Sequence, residues 1–249
     1  MDLGLSGKIA LVTGASSGIG AATAGLLAAE GAGVVVVSYS SNAAGAERTA
    51  DEVRSLGREA LLLRMDVGNP EAVASAVAEL DKKVSGLDVA VLCAGINVIT
   101  PFEQLTPAEW DQVVRVNLNG TFYVLHPLVP LLRDSAAVVT VASVAANTGA
   151  PHHAHYAAAK AGVVGLTKSA ARALAPRVRV NCVAPGLTIT PMGDLTLAGL
   201  AEGYAESRLL AGRAATPDEI ARCILFLASP VSSFVYGACL DVNGGRDLR

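Results

Sequence analysis

Short apolar runs alternate with longer segments of helical periodicity along almost the whole chain. Seven runs rich in Val, Leu and Ala predict strands at 9–12, 34–37, 60–65, 89–92, 138–141, 178–183 and 238–242. The segments between them predict helices at 18–30, 44–56, from 70, from 107 through 117 toward 132, 156–174 and 217–227. Continuously apolar strands separated by helices are typical of a parallel sheet covered on both faces. The pattern therefore predicts an α/β fold with a three-layer, doubly wound parallel sheet.

The chain shows no linker, internal repeat or low-complexity segment, and its 249 residues fit one large α/β domain. We therefore predict a single domain over 1–249. The stretch 187–212 has no clear period and is rich in Gly, Thr and Leu. Irregular segments of this length in a compact domain are usually functional, so we predict a substrate-binding lid there. A pair of ordinary surface helices is the alternative.

Composition adds a prediction about assembly. The chain is 52% hydrophobic and only 16% charged, against roughly 25% charged residues in an average soluble domain. Some Ala-rich helices are therefore expected to be buried on both sides, in part against another subunit. A simple bias toward Ala and Gly would give the same composition.

Charge and cysteine usage exclude several classes of function. The net charge is −3 with no basic block, which argues against nucleic acid and anionic membranes as partners. No apolar stretch reaches the ~18 residues that a membrane span needs, and no signal peptide is visible. The four cysteines lie far apart without metal-ligand spacing. We expect reduced thiols, no bound metal and a cytoplasmic protein.

A glycine-rich turn joins the first predicted strand to the first helix. Its sequence is Thr-Gly-Ala-Ser-Ser-Gly-Ile-Gly at 13–20. Glycines let such a turn bend tightly and let a pyrophosphate approach the backbone, while the helix start offers free N–H groups. The turn predicts dinucleotide binding by Gly14, Ser16, Ser17, Gly18, Ile19 and Gly20.

The end of the second strand predicts which dinucleotide is bound. An acid there would accept hydrogen bonds from the ribose 2′-hydroxyl of NAD and would repel a 2′-phosphate. This chain has Ser38 at that point, followed by Tyr39, Ser40 and Ser41. Because no carboxylate stands in the way and hydroxyl donors are present, we predict NADP with contacts from Ser38, Ser40 and Ser41. Use of NAD remains open.

Three residues downstream can move a proton. Tyr156 and Lys160 are four apart on a predicted helix and so share a face, and Ser143 ends the fifth strand. A neighbouring ammonium favours a phenolate, so we expect Lys160 to lower the pKa of Tyr156. Tyr156 would then serve as general acid and base, while Ser143 hydrogen-bonds the carbonyl oxygen.

With these motifs the chain resembles the short-chain dehydrogenases/reductases over nearly its whole length. Further matching motifs are Asp66-Val67, Ala94-Gly95, Val-Asn-Leu-Asn-Gly around Asn117, and Pro185-Gly186 with Thr190. The resemblance implies a seven-stranded Rossmann-type sheet and a tetramer. It also implies a catalytic tetrad of Asn117, Ser143, Tyr156 and Lys160, in which Asn117 holds a water of the proton relay and Lys160 bonds the nicotinamide ribose. The further cofactor contacts that it implies are Asp66, Val67, Ala94, Gly95, Tyr156, Pro185, Gly186, Ile189 and Thr190.

Two features depart from the family pattern. Cys93 stands where the family commonly has Asn, and a thiol cannot replace the hydrogen bonds of an amide. Histidines crowd the segment before Tyr156, at His152, His153 and His155. Solvated loop histidines are one interpretation; substrate contact, with His153 as the preferred candidate, is the other.

Within the family, the chain looks most similar to the 3-oxoacyl-thioester reductases and related ketoreductases. We therefore expect hydride transfer from NADPH to an apolar ketone, giving a secondary alcohol, with an acyl carrier protein left open as a partner. A dehydrogenase that oxidises a polyol, sugar or steroid alcohol is the first alternative. A non-catalytic nucleotide sensor is the distant one, against which the intact tetrad argues.

Overall fold

The sheet of the protein is parallel throughout and has seven strands. The computed structural model describes residues 2–248, apart from the side chains at 195 and 198, so the ends of the predicted domain, 1 and 249, lie outside the described residues. The strands are β1 Ile9–Thr13, β2 Val34–Tyr39, β3 Glu59–Arg64, β4 Leu87–Leu92, β5 Leu132–Val141, β6 Val178–Pro185 and β7 Cys239–Val242. Their order across the sheet is β3-β2-β1-β4-β5-β6-β7. The predicted α/β class and strand number are confirmed.

Helices cover both faces of this sheet. The described helices are α1 Gly18–Ala29, α2 Ala43–Ser55, α3 Pro70–Asp81, α4 Pro107–Val114, α5 Gly120–Leu128, α6 Ala145–Thr148, α7 Ala154–Leu174, α8 Pro191–Ala198, α9 Tyr204–Arg208 and α10 Pro217–Ala228. Side chains alternate along each strand, so Val12 packs with α1 and α10 while its neighbour Leu11 packs with α3 and α5. The two buried clusters explain why the strands have no polar face.

Helices α4 and α5 form one rod with an irregular centre. Thr106 caps the start, with the reciprocal bonds to Glu109 that the sequence predicts. Between the two helices, residues Arg115–Asn119 form a π turn, so the rod carries one extra residue there. Asn117 lies in that turn. The sequence predicted one continuous helix through Asn117 and gave no sign of the irregularity.

The strand order reverses between β1 and β4. The chain winds outward from β1 to β3 and then returns to start β4 beside β1. In open α/β sheets, ligands bind in the crevice outside the carboxyl ends of the strands at such a reversal. Thr13 and Leu92 are register partners at that edge, so the glycine-rich turn and the segment after β4 meet there.

The stretch 187–212 contains two short helices, α8 and α9, separated by a turn at Gly203 with a φ of 73°. Thr190 caps α8 by accepting a hydrogen bond of 2.9 Å from the Gly193 N–H. None of the helices within residues 2–248 is long and apolar enough to cross a membrane.

Polar side chains on β6 fasten the segment that leads into β7. Arg179 is buried and donates to the backbone oxygens of Leu227, Ser229 and Ser232 at 2.9–3.1 Å. Asn181 donates to the Val235 carbonyl and accepts from the Ala238 N–H. A buried guanidinium without an acid is tolerated when carbonyl oxygens satisfy it. These bonds fix the position of β7 and of the turn that follows it.

Candidate active site

A cleft of about 420 Å³ opens over the carboxyl ends of the strands. This volume lies within the range of roughly 300–1,000 Å³ that small-molecule sites occupy. Most predicted cofactor residues line it: Gly14, Ser16, Ser17, Gly18, Ile19, Gly20, Ser40, Ser41, Asp66, Val67, Ala94, Gly95, Tyr156, Lys160, Pro185, Gly186 and Thr190. Ser143 lines it as well. The fold therefore gathers residues that are up to 176 positions apart in the chain.

The glycine-rich turn has no room for a side chain at the positions of its glycines. Gly14 has a φ of 66°, and a Cβ there would lie 2.9 Å from Cα of Ala94. Gly18 has a φ of 55°, and a Cβ on Gly20 would overlap the carbonyl oxygen of Gly14. The turn can therefore press its backbone N–H groups against a pyrophosphate at the start of α1, as the sequence predicts.

Asn42 ties this turn to the next helix. It caps α2 by accepting from the Gly45 N–H at 3.0 Å, and its amide nitrogen lies 3.4 Å from the Ser16 carbonyl. Asn42 also lines the cleft beside Ser40 and Ser41. Polar groups that suit a ribose or a phosphate are therefore continuous from the turn to the end of β2.

The end of β2 differs in detail from the sequence-based expectation. Ser38 is 1% exposed and does not line the cleft; the cleft is lined by Tyr39 instead. Alternation explains this, because Tyr39 shares the face of Val35 and Val37 while Ser38 shares the face of Val36. Arg64 was not predicted from the sequence as a neighbour of this point. It is the register partner of Tyr39, and the Arg64 Nε lies 3.4 Å from the Ser40 carbonyl oxygen.

The three catalytic side chains of the predicted triad come from two parts of the fold. Tyr156 and Lys160 lie on α7, and Ser143 follows β5. A side-chain hydrogen bond joins Ser143 to the Tyr156 hydroxyl. Lys160 donates to the Val141 carbonyl at 2.8 Å and holds its Nζ 5.6 Å from the centre of the Tyr156 ring. The predicted triad is thus assembled, with the lysine fixed by the strand that precedes Ser143.

Burial changes the pKa values of Tyr156 and Lys160 from those expected. Burial raises the pKa of Tyr156 to about 12, while the hydrogen bond from Ser143 lowers it in part. Burial also lowers the pKa of Lys160. The expectation that Lys160 lowers the pKa of Tyr156 is therefore wrong for the protein by itself, because burial shifts both groups toward their neutral forms. Tyr156 is protonated at neutral pH, the form that a proton donor needs.

Asn117 is buried beneath the cleft and does not line it. Its amide nitrogen donates to the carbonyl oxygens of Ile96, at 2.8 Å, and Val113, at 2.9 Å. Its Oδ1 is buried without a partner. Gly95 lies next to both this oxygen and the Lys160 Nζ: a Cβ added to Gly95 would be 2.5 Å from the Asn117 Oδ1 and 3.5 Å from the Lys160 Nζ. A buried unpaired acceptor beside an ammonium suits a proton relay through Lys160.

The thiol at Cys93 does not disturb the end of β4. The Thr13 hydroxyl accepts from the backbone N–H groups of Cys93 and Ala94 at 3.0 and 3.1 Å. These bonds hold the segment after β4 to β1 without a side-chain amide at position 93. Cys93 lines the cleft, and burial raises the pKa of its thiol to about 11, which keeps it protonated and unreactive at neutral pH.

The three histidines have different positions. His152 is exposed, and His155 is fully buried with its Nδ1 accepting from the Tyr156 N–H at 2.8 Å. His153 lines the cleft, with its ring centre 5.9 Å from that of Tyr156. Of the three, only His153 can contact a substrate.

The nicotinamide side of the cleft is lined by Pro185, Gly186 and Thr190, as the resemblance implies. Gly186 packs so closely that a Cβ would lie 2.7 Å from Cα of Asn243. Ile189 is 53% exposed and does not line the cleft. Thr190 lies next to Gly18, because a Cβ added to Gly18 would be 3.1 Å from the Thr190 Cγ2. The start of α8 therefore reaches over the phosphate turn.

Other lining residues were not found from the sequence. They are Asn97 after β4, Met192 and Thr196 on α8, and Arg246 after β7. No local spacing marks them, because they come from three separate parts of the chain and only the fold brings them together. Within residues 2–248 no group of three or more His, Cys, Asp or Glu side chains is placed to hold a metal ion.

Comparison with known proteins agrees with this geometry. A family model described as enoyl-(acyl carrier protein) reductase matches residues 14–247. The chain is 38% identical to the 3-oxoacyl-(acyl-carrier-protein) reductase FabG of Thermotoga maritima, covering 97% of this chain and 98% of that protein. It is 41% identical to the cis-4-hydroxycyclohexanecarboxylate dehydrogenase of Sinomonas cyclohexanicum, covering 96% of each.

A solved structure is similar over the same extent. The short-chain dehydrogenase of Burkholderia cenocepacia in complex with NADP superposes with a TM-score of 0.91 at 34% identity, covering 98% of this chain and 99% of that one. The chain belongs to the short-chain dehydrogenase/reductase family. It is an NAD(P)-dependent oxidoreductase that acts on a small-molecule carbonyl or alcohol.

Proposed function

We propose that this protein is an NADPH-dependent ketoreductase that converts a ketone to a secondary alcohol. The observation that carries the choice of cofactor is the end of β2, where Tyr39, Ser40 and Ser41 face the cleft without a carboxylate and Arg64 lies beside them. A 2′-phosphate would meet hydroxyls there instead of a repelling acid, with the Arg64 guanidinium held against the neighbouring Ser40 carbonyl. The relative that was solved with NADP supports the same choice.

The chain's own residues supply the proton chemistry. Ser143 and Tyr156 present two hydroxyls to the same point in the cleft, where a substrate carbonyl oxygen can accept both hydrogen bonds. The nicotinamide, when bound, supplies a hydride to the carbonyl carbon. Tyr156 then gives its proton to the alkoxide oxygen, and the C–OH product forms. Lys160, fixed on the Val141 carbonyl, stabilises the phenolate that remains.

Substitution of Tyr156 tests this role. Tyr156→Phe keeps the buried ring and removes the proton donor, so we expect kcat to fall by roughly 100-fold or more while NADPH still binds. Titration of NADPH fluorescence measures binding separately from turnover. A variant that still reduces the ketone at the wild-type rate would contradict the assignment.

The substrate of the reductase is best tested with two thioesters in parallel. We propose a 3-oxoacyl thioester as one candidate because of the similarity to FabG, with an acyl carrier protein as its carrier. Acetoacetyl thioesters of coenzyme A and of the carrier protein test this, with NADH run beside NADPH. Turnover of the carrier-bound form alone would support the carrier.

Oxidation of a secondary alcohol is the second candidate. The observation that favours it is the 41% identity to a cis-4-hydroxycyclohexanecarboxylate dehydrogenase. Its substrate would be oxidised to 4-oxocyclohexanecarboxylate, so that ketone with NADPH, and the alcohol with NADP and NAD, form a matched pair of assays. Faster turnover of the alcohol with NAD would replace the reductase proposal with this one.

We further propose that the protein is a cytoplasmic homotetramer. Phe234 is 99% exposed, and Phe122 and Tyr236 are exposed at 48% and 43%, so burial against another subunit would remove aromatic surface from water. Light scattering on the purified protein measures the mass directly. A monomer at micromolar concentration would contradict this assembly.

A further inference from the structure

The cleft has a charged end that the proton chemistry does not use. Arg246 follows β7 and lines the cleft together with Asn97 and His153. Its guanidinium carbon lies 5.9 Å from the centre of the Tyr204 ring on α9. Among the described residues, no carboxylate lies within 4 Å of this guanidinium, whereas Arg133 and Arg213 each have one.

A compact turn holds Arg246 in this place. The Asn243 side chain accepts from the N–H groups of Gly245, at 2.9 Å, and Arg246, at 3.2 Å, and donates to the Asp247 carbonyl at 3.0 Å. Asn243 is itself buried. The bonds from Arg179 and Asn181 fix the segment before the turn, so the guanidinium is presented from a supported backbone.

The charged end lies close to the reacting group. The His153 ring is 5.9 Å from the Tyr156 ring. The pKa of His153 is lowered by burial first, and by neighbouring positive charge including Arg246, so the ring is neutral at pH 7. Its Nδ1 lies 3.4 Å from the Asn97 amide nitrogen, and the Asn97 Oδ1 is buried without a partner. With the Asn97 amide donating to its Nδ1, the His153 ring carries its proton on Nε2 and is a neutral donor, and Arg246 is a cation at this end.

We propose that the cleft binds a ketone, or the matching secondary alcohol, that carries a carboxylate, and that Arg246 binds this carboxylate with help from His153. The proposal rests on the proposed function and names its substrate class. A guanidinium binds a carboxylate through two parallel hydrogen bonds and is its usual partner. Arg246 and Tyr156 line the same cleft, and His153 lies between a substrate's carbonyl and this end as a neighbour of the Tyr156 ring, so a small keto acid suits the site.

The same arrangement argues against two other classes of substrate. A 3-oxoacyl thioester carries no carboxylate near its ketone, and its nearest anion is the phosphate at the far end of a long pantetheine arm. A neutral polyol would leave the guanidinium without a counter-charge. The proposal therefore predicts a preference for keto acids over both thioesters and neutral ketones.

Kinetics with a matched pair of substrates test this. 4-Oxocyclohexanecarboxylate and its methyl ester differ by one charge, and the ratio of their kcat/KM values measures recognition of the carboxylate alone. We expect the wild type to prefer the acid, and Arg246→Leu to reduce that ratio by roughly 10- to 100-fold. Arg246→Lys should recover part of the preference through its charge. Arg222→Leu, at an exposed position of α10 outside the cleft, is the matched control and should keep the wild-type ratio.

A binding measurement keeps the inference separate from the proposed function. Calorimetric titration of 4-oxocyclohexanecarboxylate into the protein with NADP should give a Kd that Arg246→Leu raises by a similar factor. If the ester is reduced as well as the acid and binding ignores Arg246, the carboxylate site is wrong although the reductase stands. If Arg246 controls binding but no ketone is reduced, the site is supported and the reductase is not. Equal Kd values for the acid and the ester would also overturn the site.

Discussion

Replacement of Asn117 tests how the irregular helix and the cleft depend on each other. Asn117→Ala removes the hydrogen bonds to Ile96 and Val113, 2.8 and 2.9 Å long, and the residue is 0% exposed. Each lost bond costs about 1–2 kcal/mol when the carbonyl left behind cannot reach water. We therefore expect the free energy of unfolding to fall by about 2–4 kcal/mol in total. For a chain of this length that lowers Tm by roughly 4–16 °C.

The same variant should lose activity for a separate reason. The Asn117 Oδ1 is buried next to the Lys160 ammonium, and its removal should lower kcat by roughly 10-fold or more below Tm. Asn117→Asp separates the two effects, because the carboxylate keeps an oxygen beside Lys160 but cannot donate to the two carbonyls. It should be destabilised like Asn117→Ala yet keep more activity.

Thermal unfolding and initial rates on both variants check these values. Asn119→Ala, two residues along the same π turn, is the control, since no hydrogen bond within the described residues uses that side chain. A Tm of Asn117→Ala within about 1 °C of the wild type would refute the reasoning, because the two bonds could then not be holding the segment after β4. If Asn117→Ala loses activity but keeps its Tm, only the role of Asn117 in the proton relay would be supported.

Three further changes test the cofactor site and the proton donor. Gly14→Ala places a methyl group 2.9 Å from Cα of Ala94 at a φ of 66°, so the affinity for NADPH should fall by roughly 10-fold or more. Fluorescence titration measures that affinity, and an unchanged value would show that the turn does not bind phosphate. Tyr39→Asp should shift the kcat/KM ratio of NADPH to NADH toward NADH by roughly 10- to 100-fold, whereas a constant ratio would remove Tyr39 from the ribose site. Ser143→Ala should move the pH profile of alcohol oxidation upward, because the Tyr156 phenolate is the base in that direction and loss of the Ser143 bond raises its pKa above about 12. Ser143→Thr keeps the hydroxyl and should stay near the wild type. A pH profile of Ser143→Ala that does not move would contradict the bond.

The features that could be predicted from the sequence are those written in local spacing. The strands are short apolar runs because both faces of a parallel sheet are buried, and the pair Tyr156–Lys160 follows from one helical turn. The glycines at 14, 18 and 20 mark a turn that needs them. These signals lie within a few residues of each other, so no knowledge of the fold is required to see them.

The remaining features depend on the fold. Whether Ser38 or Tyr39 faces the cleft is decided by where β2 ends, and one residue reverses the answer. The pKa of Tyr156 depends on burial by distant segments, which spacing does not reveal. Arg246 reaches the cleft only because β7 pairs with β6 at the edge of the sheet, more than 85 residues after Lys160. A prediction from sequence needs that pairing first.

The π turn at Arg115–Asn119 has a consequence for any attempt to make this protein more robust. Its extra residue puts α5 out of phase with α4, and that offset is what brings the Asn117 amide back toward the segment after β4. A sequence optimised for helical regularity would remove the offset, and with it the approach of the Asn117 amide to that segment. Thermostabilising substitutions chosen for helix propensity should therefore be excluded from this turn, because a gain in local propensity would be set against the loss of the Asn117 bonds.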